Sequence, residues 1–281
     1  MSSNAPVLVA VDGSQHSLDA LRWALDEAVL RDAEVLALHV SAAADGDPVA
    51  ARIAEVLAGR DRAPQVSYET VDGTPAAVLA ERAAKAQLLV LGSRGLGGFA
   101  ALLLGSTGRK CAANAPCPVV VVPHATRTAE APVPEGGHGR VALGLSPQET
   151  SDEAIEFAFA EAERRGAELQ VISTYLVPLT SLTRVGELVD APDTDQARVV
   201  EAAQSARLAP FAERHPAVAV VPVVTAGDPA GRLVTGSRTA DLTVVGRHRR
   251  RLRPDALVMG SVTNAVLQHA QGSVAVVPGA E

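Results

Sequence analysis

The 281-residue chain is 47% hydrophobic but has only seven aromatic residues, four Phe, two Tyr and Trp23; its apolar bulk is 52 Ala and 38 Val. With 25 Lys and Arg against 32 Asp and Glu the net charge is −7, shared as −3 over residues 1–134 and −4 over residues 135–281, so neither half has the basic footprint of a nucleic-acid-binding protein. Scarce aromatics argue against reading single strands by base stacking, and two cysteines, Cys111 and Cys117, without a His or Cys cluster nearby, indicate neither a disulfide scaffold nor a zinc site.

At roughly 150 residues per domain the length suggests two domains. Residues 6–11, 34–40, 65–71, 87–91 and 118–122 are short β-branched runs bounded by turn residues and read as five strands. After the first, Ser17 is the expected N-cap of a helix whose Leu18, Leu21, Leu25, Ala28 and Val29 recur at helical spacing, with Trp23 off that stripe. Thr74 followed by Pro75 opens a second helix to about Ala86. Ser106 is placed to begin another, to about Ala115. Strands alternating with helices predict a parallel sheet covered on both faces.

The same plan recurs further along. Val7 to Leu21 aligns with Val141 to Ile155 at an offset of 134. Gly73-Thr74-Pro75-Ala76 aligns with Gly227-Asp228-Pro229-Ala230 at 154, and Gly105-Ser106 with Gly260-Ser261 at 155. The offset therefore grows between the second and third strands. Pro123 to Gly139, rich in Pro and Gly and without periodicity, reads as a linker. The predicted organisation is a first domain over 1–124, a linker over 125–139 and a second domain over 140–281.

Ligands of doubly wound sheets bind beyond the carboxyl ends of the strands, where strand order reverses. Two such ends are unusual in the first copy: Asp12-Gly13-Ser14 follows strand one, and Gly92-Ser93-Arg94-Gly95 follows strand four, with Gly105-Ser106-Thr107 ten residues beyond Gly95. Glycines permit close backbone approach, and the amides of a helix start form an anion site. The bland alternative is a flexible connection. The chain lacks G-x-x-x-x-G-K-[ST], and its two lysines, Lys85 and Lys110, have the wrong neighbours; no G-x-G-x-x-G follows strand one.

Gly92-x-x-Gly95, nine residues, then Gly105-Ser106 resembles the ATP-binding signature of the universal stress protein family, and Val11-Asp12-Gly13-Ser14 and Pro118 to Val122 fit its first and last strands. The resemblance covers both halves. It implies two tandem Rossmann-like α/β domains, each a five-stranded parallel sheet of order 3-2-1-4-5 with helices on both faces. It further implies that Asp12 and Val40, with Ala10 and Leu91 beside them, line the adenine and ribose side, and that Gly92, Arg94, Gly95, Gly105, Ser106 and Thr107 hold phosphates. The implied ligand is ATP, with magnesium as an optional phosphate counter-ion. The implied role is regulatory, in the stress response.

The second copy departs from the pattern: Ser146-Pro147 replaces Asp12-Gly13, Arg249 stands where Gly95 stood, and Gly260 comes eleven residues later. Gly246, Arg249, Gly260 and Ser261 are its weaker candidates. Arg247 and its basic neighbours through Arg253 could supply positive charge, and a solvated basic loop is the bland alternative. The seven histidines include no H-x-x-x-H pair, there is no G-x-S-x-G elbow, and Asp45-Gly46-Asp47-Pro48 is most simply a turn. No catalytic or metal-binding set is assigned. Slow ATP hydrolysis or adenylyl transfer, and a nucleotide-independent scaffold, are the competing functions. No apolar run approaches 18 residues and the N-terminus has no signal-like region, which predicts a cytoplasmic protein with neither membrane nor nucleic-acid partners. The valine-rich last strands read either as ordinary buried strands or as edges that pair with another chain or each other, and the resemblance implies pairing through them, between the domains or in a homodimer.

Overall fold

The computed structural model describes residues 5–41, 48–60, 62–94, 104–124, 137–175, 194–247, 249–253 and 256–279. The first half runs β1 (Val7–Ala10), α1 (Gln15–Arg31), β2 (Val35–Ser41), α2 (Pro48–Ala58), β3 (Val66–Asp72), α3 (Pro75–Ala83), β4 (Leu88–Gly92), α4 (Ser106–Asn114) and β5 (Val119–Val122). The second runs β6 (Arg140–Gly144), α5 (Asp152–Arg165), β7 (Glu168–Tyr175), α6 (Thr194–Arg214), β8 (Val220–Ala226), α7 (Pro229–Gly236), β9 (Leu242–Gly246), β10 (Arg249–Arg253), β11 (Ala256–Met259), α8 (Ser261–His269) and β12 (Val274–Val277). All five strands expected in the first half form, each within one residue or two of the expected bounds.

Within each half the ladder is parallel and the order is as the family resemblance implies, β3-β2-β1-β4-β5 and β8-β7-β6-β9-β12. The last strands then pair with each other. β5 and β12 run antiparallel, Val121 opposite Val274, Val120 opposite Ala275 and Val119 opposite Val276, which fuses the halves into one ten-stranded sheet. An unpaired valine edge would invite association, and here each half covers the other's.

Alanine lets the helices lie close to this sheet. Ala20, Ala24 and Ala28 of α1 and their counterparts Ala154, Ala158 and Ala162 of α5 are all fully buried. They belong to one apolar layer that runs beneath both helices and includes Val120 and Ala275. On the opposite face, Leu8, Leu79, Leu89 and Cys111 form a separate layer under α3 and α4. Both cysteines are free, and burial pushes each thiol up to about 12.

Several local expectations change. Ser14, not Ser17, caps α1: its hydroxyl accepts the Ser17 N–H at 3.3 Å, while the Ser17 hydroxyl accepts from Asp12 N and donates to the Ser14 carbonyl. Gln15, His16 and Ser17 are thereby helical, because a cap three residues earlier satisfies the orphan amides equally well. Val29 is 42% exposed, while the core side of the helix is completed by Glu27, which is 2% exposed. α3 stops at Ala83. The basic run 249–253 is not a loop: β10 pairs antiparallel with β11 in a hairpin whose register shifts between Arg251 and Arg253. The Asp45-Gly46-Asp47 turn and the linker core 125–136 lie outside the described residues.

Candidate functional site

β1 and β4 are neighbours, with Val9 beside Val90, so the order reverses between them and the segments after their ends flank one crevice. Asp12 begins the turn beyond β1. One of its carboxylate oxygens accepts the Ser14 N–H at 2.9 Å, and Gly13 follows at φ +79°, a left-handed conformation that glycine adopts without strain. Arg52 of α2 closes the turn by donating to the Gly13 carbonyl. Asp12 thus shapes the loop as well as presenting a carboxylate at the strand end.

Across the crevice, Ser93 N–H donates to Val122 O and Gly105 N–H donates back to Ser93 O, both at 2.9 Å. These bonds clamp the start and finish of the glycine loop together, although Gly95 itself lies outside the described residues. Gly105 is the N-cap of α4 with extended backbone and no side-chain cap, and Arg109 N to Gly105 O is the first intrahelical bond. The amides of Ser106, Thr107 and Gly108 precede that bond and present donors at the positive end of the helix dipole. Ser106 is exposed and Thr107 half-buried. Ala10, Val40 and Leu91 belong to the apolar layer on the α3 and α4 side.

Gly92 has a packing reason for being glycine beside the phosphate contact expected of it. A Cβ there would lie 2.5 Å from the backbone oxygen of His16, so the first turn of α1 occupies that space. At Gly105 the nearest atoms to a Cβ among the described residues are Arg94 Cα and Ser93 O, both at 3.8 Å, so packing against those residues does not demand glycine. Sequence reasoning passed over His16 and His124, which lie face to face here with ring centroids 4.4 Å apart. Scattered single histidines carry no spacing signal, and only the fold brings the first helix to the end of the fifth strand.

The second half contains a cavity of about 380 Å³ at the equivalent strand ends, within the range of small-molecule sites. Gly246, Gly260 and Ser261 line it, with Ser146 at the position of Asp12. Apolar Ile172, Leu233 and Val245 form part of its wall. Arg247, expected as a source of charge, lines this cavity, and its guanidinium donates at 2.5 Å to Ala115 O, at the end of α4 in the other half. That carbonyl end of a helix favours a cation. Arg249 begins β10.

Fold and geometry together define a tandem doubly wound α/β protein with a cavity at the strand ends of its second half. The model of the universal stress protein family matches residues 4–123 and 138–278. A universal stress protein of Mycobacterium tuberculosis is 33% identical over 295 residues, covering 96% of each chain. Another of the same organism is 30% identical over 315 residues, covering 98% of this chain and 95% of the relative. In the solved structure of a universal stress protein from Archaeoglobus fulgidus all of each chain is matched at a TM-score of 0.67 and 19% identity, which shows the shared fold. The chain belongs to the universal stress protein family.

Proposed function

We propose that the chain is a regulatory protein of the stress response that binds an adenine nucleotide, ATP foremost, in the first-half crevice. The observation that carries this reading is the clamp of Gly105 on Ser93, which sets the uncapped start of α4 beside the segment that holds Arg94. A helix N-terminus with a neighbouring guanidinium suits phosphate, and the aliphatic wall of Ala10, Val40 and Leu91 suits a purine face. Among the described residues nothing lies closer than 3.8 Å to a Cβ at Gly105, which suits a group brought by the ligand. In this reading Asp12 faces the ribose, and Gly92, Arg94, Gly95, Gly105, Ser106 and Thr107 surround the phosphates.

Among the described residues no group of three or more His, Cys, Asp or Glu is placed to hold a metal, so magnesium would be carried by the phosphates. The second-half cavity, with Ser146 in place of a carboxylate, is the weaker nucleotide site. The two halves act as domains over 1–124 and 140–281 joined by 125–139, in the cytoplasm. Mass spectrometry of small molecules released from protein purified without added nucleotide tests ligand identity and stoichiometry: one adenine nucleotide per chain is expected. Radiolabelled ATP that fails to bind in the millimolar range, or binding unchanged by Gly105→Val with Ser106→Ala, overturns the reading.

A further inference from the structure

His16 is the second residue of α1, and its backbone oxygen is the atom against which Gly92 packs. Its ring meets that of His124, just beyond the end of β5, at a centroid distance of 4.4 Å and a tilt of 32°. Asp19, one turn along α1 from His16, holds the pair from behind: its Oδ2 is 2.9 Å from His124 Nδ1. The charged groups that act on His16 come from each neighbouring element: Asp12 after β1, Asp19 on α1, Arg94 after β4 and His124 after β5. Burial, then the His124 and Arg94 charges, hold the His16 imidazole below its ordinary value, against the pull of Asp19 and Asp12.

The second half shows what this position does. Thr150 stands 134 residues after His16 and lines the second-half cavity, its hydroxyl accepting the Ser146 N–H at 2.9 Å. Gly279 stands 155 residues after His124. The matching positions are therefore a threonine and a glycine in one half, with the Arg207 guanidinium on the Thr150 carbonyl, and two imidazoles beside an arginine in the other.

We infer that His16 and His124 form a proton-linked anion subsite of the first-half crevice, so that nucleotide phosphate binds together with a proton. This rests on the nucleotide reading of that crevice. Arg94 and His124 repel a proton from His16 in the free protein, and phosphate charge offsets that repulsion. His16 then takes up a proton from solvent as the ligand binds, and no covalent bond changes. The complex holds more protons than the free protein, so affinity rises as pH falls through the histidine range, by up to about tenfold per pH unit for one proton.

Calorimetric titration of the full chain near pH 7, in two buffers that differ in protonation enthalpy, measures the protons taken up. ATP and adenosine are the probes, and wild type is compared with His16→Thr, the residue that the matching position already accommodates, and with His124→Asn; thermal melts check folding. The expected result is that ATP carries up to one proton more into wild type than into His16→Thr, with a smaller uptake in His124→Asn and no difference for adenosine. Comparing proteins cancels the titration of ATP itself. ATP binding with equal uptake and affinity in wild type and His16→Thr overturns the inference, as does an equal linkage with adenosine. ATP and adenosine both failing to bind wild type overturns the nucleotide reading instead, and the wild-type isotherm alone separates the two failures.

Discussion

Arg165 of α5 reaches across the molecule to Glu27 of α1, and Arg31 of α1 reaches back to Glu161 of α5, so the two halves hold each other by one contact made twice. Each glutamate also pairs along its own helix, Glu27 with Arg31 at 2.5 Å and Glu161 with Arg165. Arg164 adds a fifth charge on Glu161. Both carboxylates are 1% exposed. Burial opposes the charge on Glu27, but Arg165 and Arg31 outweigh it and hold that carboxyl below its usual range. Burial and the nearby Glu27 push Glu161 the other way. Three guanidinium groups facing two carboxylates favour the ionised pair as a whole, the direction set by Glu27.

Removing one member leaves buried charge without compensation. Glu27→Gln and Glu161→Gln are each expected to lower stability by about 3–5 kcal/mol in urea denaturation. Because the two carboxylates share the same arginines, the double variant should cost clearly less than the sum of the singles. Additive losses would show that the contacts act independently.

The pair at the centre of the strand joint is unequal. Val120 faces Ala275, and both side chains lie in the layer beneath α1 and α5. Val120→Ala should cost about 2 kcal/mol by leaving a void, and Ala275→Val about 1–3 kcal/mol by overpacking. Exchanging the two residues keeps the volume, so Val120→Ala with Ala275→Val should recover most of either loss. Differential scanning calorimetry of the three variants provides the comparison.

Two glycines of one motif should respond in opposite ways. Gly92→Ala drives a methyl to 2.5 Å from a backbone oxygen and is expected to destabilise the fold by about 1–3 kcal/mol. Among the described residues Gly105→Ala meets nothing closer than 3.8 Å, and it should melt within a few degrees of wild type. Its methyl intrudes on the crevice, so weaker ATP binding is expected in equilibrium dialysis. A large stability loss at Gly105 would mean that the residue is glycine for packing.

His215 predicts a pH dependence. Burial lowers its basicity, but hydrogen bonds to Glu156 at 2.9 Å and Glu163 at 2.8 Å outweigh burial and raise its pKa above 6.5. A raised folded-state value means that the stabilisation is fully present below about 6.5 and is lost as pH rises through the folded value. Chemical denaturation of His215→Gln should therefore show a larger deficit against wild type at pH 6 than at pH 9. Equal deficits would assign the loss to packing against Phe159, whose ring lies 5.6 Å away.

Much of this molecule is written locally. Short β-branched runs, the Thr74-Pro75 helix start and the duplicated order of landmarks specify strands, helices and two copies, because alternation and turn chemistry act over a few neighbouring residues. The motif from Gly92 to Ser106 likewise points to a strand-end site, since Gly-rich turns and helix starts have consistent physical uses. Cap choice between Ser14 and Ser17 was not legible, because both serines lie before the same stripe and only the backbone bonds distinguish them.

What the tertiary structure alone decided are the relationships between distant residues. That β5 and β12 close on each other, that Glu27 meets Arg165, and that His16 lies on His124 behind Gly92 depend on how whole elements pack. So does the bond from Arg247 to Ala115 of the other half. Sequence spacing fixes which face of an element a residue occupies, but the partner across that face is set by the order of strands and the burial of two apolar layers, and those are properties of the assembled sheet.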